Sequence, residues 1–321
     1  VRIGQPVASP GRGWLGHSYP DLNAGEALFV HRFDYYTPAT VAEAIDLLRT
    51  KGDGGKIFAG GTDLMPAMKE RGRHPKYIVS LRNITDLKGI SYDASSGLRI
   101  KAATKMSAIQ RDATIQKLYP VIVQGAKLIG SLQTQNLATL GGNICNAAPS
   151  ADAVPAFVVL DATCTVAGPG GTRTVPITEV AKGPGQVSLA ADEILTEVQV
   201  PAPLPRSAGY YLRHVPRKEL DIAVAGVGVY VQLDEKLETF THARICLCAV
   251  APVPLRATGA EAALVGKPAT AETIAAAAKA AAADARPISD QRGTADFRRL
   301  LVEALTVKTL TPAVGAIRGA R

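Results

Sequence analysis

From near Phe29 onward the chain alternates short stretches, apolar at every second position, with longer ones that are apolar at every third or fourth. This is the pattern of mixed strands and helices. Thr40-Val41-Ala42-Glu43 has the form of a capping box, and Ala44, Ile45, Leu47 and Leu48 follow at helical spacing to a stop near Gly52. Lys56-Ile57-Phe58 reads as a short strand. Pro66 suits the first turn of a helix that Met65, Ala67 and Met68 continue, and Tyr77 to Leu81 supplies another strand. A second block opens with the alternating run Leu98 to Ala102 and continues with helical patterns over Met106 to Gln116 and Val121 to Leu128. Four short pieces rich in β-branched residues come next, Val154 to Leu160, Thr163 to Ala167, Arg173 to Val175 and Ile194 to Val200. Turn signals at Gly168-Pro169-Gly170-Gly171 and Gly183-Pro184-Gly185 mark them as strands.

Pro201, Pro203 and Pro205 form a rigid link. Beyond it, Tyr210 to Val215, Ala223 to Gln232 and Ala243 to Val250 predict a three-stranded antiparallel meander. Two helices, Ala271 to Ala283 and Thr294 to Leu310, complete a separate α+β module. The period-two run around Cys246-Leu247-Cys248 places both thiols on one strand face as small buried groups.

Composition narrows the class. A chain of 321 residues that is 47% hydrophobic has buried cores and room for two or three domains. Its apolar stretches are broken within about a dozen residues, so no membrane span is expected. The first thirty residues lack an apolar stretch behind a basic start and do not read as a secretory signal, which predicts a cytoplasmic protein. Four cysteines at irregular spacing predict reduced thiols and no metal site in this chain. The net charge of +8 is spread along the chain rather than gathered with aromatics in a basic block, so no nucleic-acid partner is expected.

Two glycine runs about 80 residues apart carry the candidate chemistry: Ala59-Gly60-Gly61-Thr62-Asp63-Leu64 after Phe58, and Thr139-Leu140-Gly141-Gly142-Asn143-Ile144. Peptide N–H groups in glycine turns bind a diphosphate without the bulk of a Cβ, and Thr62 and Thr139 add hydroxyl donors. Neither run is the G-x-G-x-x-G of the doubly wound dinucleotide fold.

These two runs, the second extended through Pro149 and Asp152, together with Phe33-Asp34-Tyr35-Tyr36-Thr37-Pro38, resemble the FAD-binding medium subunit of molybdenum hydroxylases, the xanthine dehydrogenase and carbon monoxide dehydrogenase family. The resemblance spans roughly Phe33 to Leu310 and implies an α+β fold: a two-part FAD-binding domain of the PCMH or vanillyl-alcohol-oxidase type, then a smaller α+β C-terminal domain. The implied bounds are an arm over 1–28, the FAD-binding domain over 29–206 (parts about 29–86 and 87–206), the C-terminal domain over 207–313 and a tail over 314–321. Carried over, Phe58, Ala59, Gly60, Gly61, Thr62, Asp63 and Leu64 resemble the loop around the FAD diphosphate, and Thr139, Gly141, Gly142 and Asn143 a second phosphate loop. Asp152 is similar to a carboxylate that holds the adenosine ribose, Ile129 to an adenine-packing side chain and Leu195 to an apolar contact beside the flavin. Arg213 and Arg217 to Ala223 are similar to a loop that approaches the ring.

What the resemblance implies functionally is an oxidoreductase subunit with non-covalent FAD and no catalytic side chain of its own. The FAD takes electrons from 2Fe–2S clusters on a small partner, a large partner holds the molybdenum cofactor, and the whole forms a dimer of heterotrimers. Two departures stand out. Leu220 occupies a position that is acidic in the xanthine dehydrogenase branch, and Cys145 runs to Asp152 without the cysteine insertion of relatives that carry a cluster. His214 reads as structural. A stand-alone FAD-dependent oxidase or reductase of the same fold, and a non-catalytic nucleotide-binding module, remain as alternatives.

Overall fold

The structure is a computed structural model that describes residues 30–217 and 220–319; the expected arm lies outside them. The first unit contains β1 (Asp34–Tyr36), α1 (Val41–Lys51), β2 (Gly55–Phe58), α2 (Leu64–Glu70) and β3 (Tyr77–Ser80), with a parallel sheet in the order β1-β3-β2. The capping box closes at both ends. Thr40 Oγ1 accepts the Glu43 N–H at 3.1 Å, and the Glu43 carboxylate accepts the Ala39 N–H at 2.7 Å. Ala44, Leu48, Tyr77, Val79 and Leu81 make the core of this unit.

The second unit comprises β4 (Ile90–Asp93), β5 (Gly97–Lys101), α3 (Met106–Arg111), α4 (Ala113–Leu118), α5 (Pro120–Lys127), α6 (Leu132–Gln135), α7 (Leu140–Cys145), α8 (Val154–Val159), β6 (Thr163–Gly168), β7 (Gly171–Pro176), β8 (Ala181–Gly183), β9 (Gln186–Val187) and β10 (Ile194–Val200). Its antiparallel sheet runs β4-β5-β10-β6-β7, with β8-β9 a separate hairpin. The helical pattern over Met106 to Gln116 is two helices, because Asp112 leaves helical geometry and caps α4 by accepting the Ile115 N–H at 2.9 Å.

Val154 to Leu160 is a helix, not the strand expected. Pro155 sits in its first turn, and every residue from Ala151 to Leu160 is buried. The segment packs against α5 and three strands of the next domain, so enclosure on all sides overrides the strand preference of its valines.

The third unit holds β11 (Ser207–His214), β12 (Ala225–Leu233), β13 (Phe240–Cys248), β14 (Leu255–Arg256), α9 (Thr258–Leu264), α10 (Ala271–Asp284) and α11 (Ala295–Gly319). The expected meander gains a fourth strand, paired in the order β11-β12-β13-β14, and α9 follows it. Helix α11 continues to Gly319 with Val314 and Ile317 buried, so the expected tail from 314 is helical over most of its length. By length and composition α11 is also apolar enough to cross a bilayer, but Val302, Leu310 and Ala313 are fully enclosed within the domain.

Both faces of the third unit's sheet are covered. On β13, Ile245 and Leu247 face the domain's own helices, whereas Cys246 and Cys248, both fully buried as the period-two pattern predicts, belong to the core of the second unit. Glycines permit the close approach: a Cβ on Gly209 would stand 3.1 Å from Val121 of α5, and one on Gly228 would stand 3.2 Å from Pro155 of α8.

Candidate functional site

The two glycine runs meet. A Cβ on Gly60 would lie 2.3 Å from the Leu137 carbonyl oxygen and 2.9 Å from Ala138 Cα, and one on Gly142 would lie 4.0 Å from Ala59 Cβ. The first run links β2 to α2 as an irregular turn. Gly61 has φ +77°, and the ring of Phe58 fills the place its Cβ would take, at 2.4 Å. Phe58 is held edge-on by Tyr35 at 6.3 Å, with the Arg82 guanidinium 5.9 Å from its centroid.

The runs differ in what they offer. Among the described residues, no backbone or side-chain acceptor meets the N–H groups of Ala59, Gly60, Gly61, Thr62 or Asp63, five consecutive donors open to a ligand. The carbonyls of Gly61 and Asp63 are turned instead into α2, accepting from Met65 and Ala67.

The second run is not a turn. It is α7, capped by Thr139, whose hydroxyl accepts the Gly142 N–H at 3.2 Å. The Leu140 and Gly141 N–H groups bond to Thr104 and Ala102, and that of Asn143 to Thr139. The N–H groups of Leu140 to Asn143 are therefore spent inside the fold, and the first run presents the longer row of open peptide donors. Gly141 is needed for packing, since a Cβ there would lie 2.8 Å from Ala102 Cβ. Asn143 Oδ1 is buried and has no partner, an acceptor suited to a ligand hydroxyl. A row of free N–H groups, a floor with no room for Cβ atoms and an orphaned amide together fit a dinucleotide such as FAD.

Asp152 and Arg213 come together across the domain junction. Both side chains are 7% exposed; an Arg213 Nη1 pairs with Asp152 Oδ2, and the Tyr211 hydroxyl donates to Oδ1 at 2.8 Å. Burial pushes the Asp152 carboxyl up to about 6 even though Arg213 and Tyr211 pull it the other way. Each carboxylate oxygen thus has a protein partner, and Asp152 acts here as a tie between domains. Tyr211 was not singled out from sequence; its one signal is its spacing of two from Arg213, which puts both on one face of a strand.

The remaining candidates stand apart. Ile129 packs on the second unit's core between α5 and α6, where its carbonyl accepts from Gln135 Nε2 at 3.0 Å. Leu195 is 4% exposed in β10, paired with Val166 in the sheet core. Leu220 has φ +51° and is 58% exposed, with its carbonyl accepting from Arg217 at 2.7 Å; Lys218 and Glu219 of the same loop lie outside the described residues. His214 stacks edge-on with Phe297 at 6.0 Å, a packing role.

Two family models cover the chain: residues 31–203 match the FAD binding domain in molybdopterin dehydrogenase, and residues 210–313 match the CO dehydrogenase flavoprotein C-terminal domain. The xanthine dehydrogenase FAD-binding subunit of Escherichia coli O157:H7 is 33% identical over 287 residues, 89% of this chain and 97% of the relative. The carbon monoxide dehydrogenase medium chain of Hydrogenophaga pseudoflava is 34% identical over 282 residues, 88% and 97% of the two chains. Among solved structures, carbon monoxide dehydrogenase from that organism matches with a TM-score of 0.86 over 90% of this chain and 99% of the other, at 34% identity. Quinoline 2-oxidoreductase from Pseudomonas putida 86 matches with 0.83 at 29% identity over the same shares.

Proposed function

The chain belongs to the FAD-binding subunit family of molybdenum hydroxylases, and from that premise we propose that it is the flavoprotein subunit of a heterotrimeric dehydrogenase. It receives electrons from 2Fe–2S clusters on a small partner and delivers them to an external acceptor. The molybdenum cofactor and the oxidised substrate belong to a large partner, and the assembly is a dimer of such trimers in the cytoplasm. FAD, bound non-covalently, supplies a centre that exchanges one or two electrons.

The observation that carries this reading is the row of five open N–H groups at Ala59 to Asp63, seated on the backbone of Leu137 and Ala138. In it, Gly60, Gly61 and their neighbours hold the diphosphate with peptide dipoles that need no reorganisation on binding. The Thr62 hydroxyl would add a donor and Asn143 would meet a ligand hydroxyl, while Asp152 and Arg213, paired with each other, would brace the site from the domain junction. No side chain of this chain serves as a base toward the substrate. Its work is to hold and orient the cofactor and exclude water around it.

Purifying the assembly with this chain and recording its visible spectrum and metal content tests the proposal. Flavin bands together with iron, molybdenum and two co-eluting chains are expected. A yellow chain free of partners and metals favours the stand-alone flavoenzyme, and a colourless preparation overturns the reading.

A further inference from the structure

The segment that trails the second glycine run is held from outside by the other domain and by α5. Asp152 is met by Tyr211 and Arg213, both on β11. Three residues earlier, the Pro149 carbonyl accepts the Ala249 N–H at 2.9 Å and the Cys248 thiol at 3.5 Å, both from the end of β13. Helix α5 closes the third side: a Cβ on Gly125 would stand 2.6 Å from the Asp152 carbonyl oxygen, and Gln124 accepts the Tyr211 N–H at 2.7 Å. A niche for the Tyr211 hydroxyl is built into β12, since a Cβ on Gly226 would come within 2.6 Å of that oxygen. Arg213 keeps one more buried donor, Nε, with no partner.

We infer that Tyr211 is a positioning residue for the FAD site: with Arg213 it fixes Asp152, and through Asp152 the segment joined to the second glycine helix, so that tight FAD binding requires the docked C-terminal domain. The inference rests on the flavoprotein reading above. A buried carboxylate is oriented only by the donors it meets, and removing one from a paired, enclosed set leaves the others poorly placed. Between Cys145 and Ala153 the chain is anchored at Ala147, whose carbonyl accepts the Gly185 N–H at 3.0 Å, at Pro149 and at Asp152. Two of those three anchors come from the C-terminal domain.

The titratable groups that face Asp152 are Tyr211 and Arg213 on β11 and the Cys248 thiol on β13. The Tyr211 hydrogen bond favours the ionised carboxylate, so its loss moves the titration of Asp152 to higher pH. The test is FAD affinity of the assembled complex, read by flavin fluorescence from about pH 5 to about pH 8, a window that brackets this titration. Tyr211→Phe is expected to weaken FAD binding about tenfold at the alkaline end, the usual cost of one hydrogen bond to a charged group. It is also expected to shift the inflection of FAD loss upward in pH. Tyr119→Phe removes a comparable buried bond, from its hydroxyl to the Pro201 carbonyl at 2.9 Å, and is expected to change neither reading. Gly226→Ala, which crowds the hydroxyl while leaving it present, is expected to shift both in the same direction as Tyr211→Phe. Unaltered affinity and inflection in Tyr211→Phe and Gly226→Ala, beside a wild type that binds FAD, overturn the positioning role alone. A wild-type complex without flavin overturns the flavoprotein reading, and this role with it.

Discussion

Gly60 rests on the backbone of Leu137, with a Cβ at Gly60 placed only 2.3 Å from that residue's carbonyl oxygen. Two runs far apart in sequence are thus one surface, and the loop with open N–H groups has the second run's approach as its floor. Gly60→Ala forces one of two backbones to move. A loss of about 2 kcal/mol in stability is expected, in the range of overpacked sites, together with flavin occupancy far below wild type. Gly170→Ala, at a turn where a Cβ meets nothing within 4 Å, is expected to leave melting and flavin content unchanged. Differential scanning fluorimetry and flavin absorbance on both variants make the comparison.

Asp152 gives the fold a pH dependence of definite sign. Burial raises its carboxyl to about 6 from the usual 3.8, so over the interval between those values the folded chain holds a proton that the unfolded chain has released. Its contribution to stability is therefore greatest at the acid end and falls as pH rises through about 6, by on the order of 1–3 kcal/mol. Asp152→Asn is expected to flatten the urea-unfolding profile over that interval. FAD retention moves the opposite way, strengthening as the carboxylate ionises.

The thiols of Cys164, Cys246 and Cys248 are fully buried, and burial pushes that of Cys164 up to about 12 and those of Cys246 and Cys248 well above the ordinary thiol range. Thiolate is the reactive form. A disulfide reagent at about pH 8 is expected to leave these three untouched in the native chain and to label them at once in denaturant.

Arg298 is 3% exposed and donates to the Val224 carbonyl at 2.8 Å, the Ala249 carbonyl at 2.9 Å and Asp290 at 2.7 Å. It fastens α11 to two strand ends, one of which also holds Pro149. Arg298→Ala leaves those acceptors bare, and about 3–5 kcal/mol of destabilisation is expected, measured by chemical unfolding.

Much of this was legible in the chain. The Thr40 box, the strand into the first glycine run and the meander were marked by local rules of capping and alternation, and the structure places them close to the residues that signalled them. Val154 to Leu160 misled because its valines favour strands, while its surroundings on every side were decided by residues distant in sequence. The second glycine run looked like a turn, although Thr139 three positions before Gly142 is a helix cap in plain view. The partners of Asp152 lie 59 and 61 positions away. No local pattern names such a pair, since it exists only once the two domains have docked.

Cys246 and Cys248 look toward one domain from a strand whose Ile245 and Leu247 look toward the other. A gene spliced at the proline link from two relatives would inherit the halves of that shared layer from different parents, with side chains that never evolved to fit. A chimera joined at the proline link is accordingly expected to lose stability through mismatched packing at that layer.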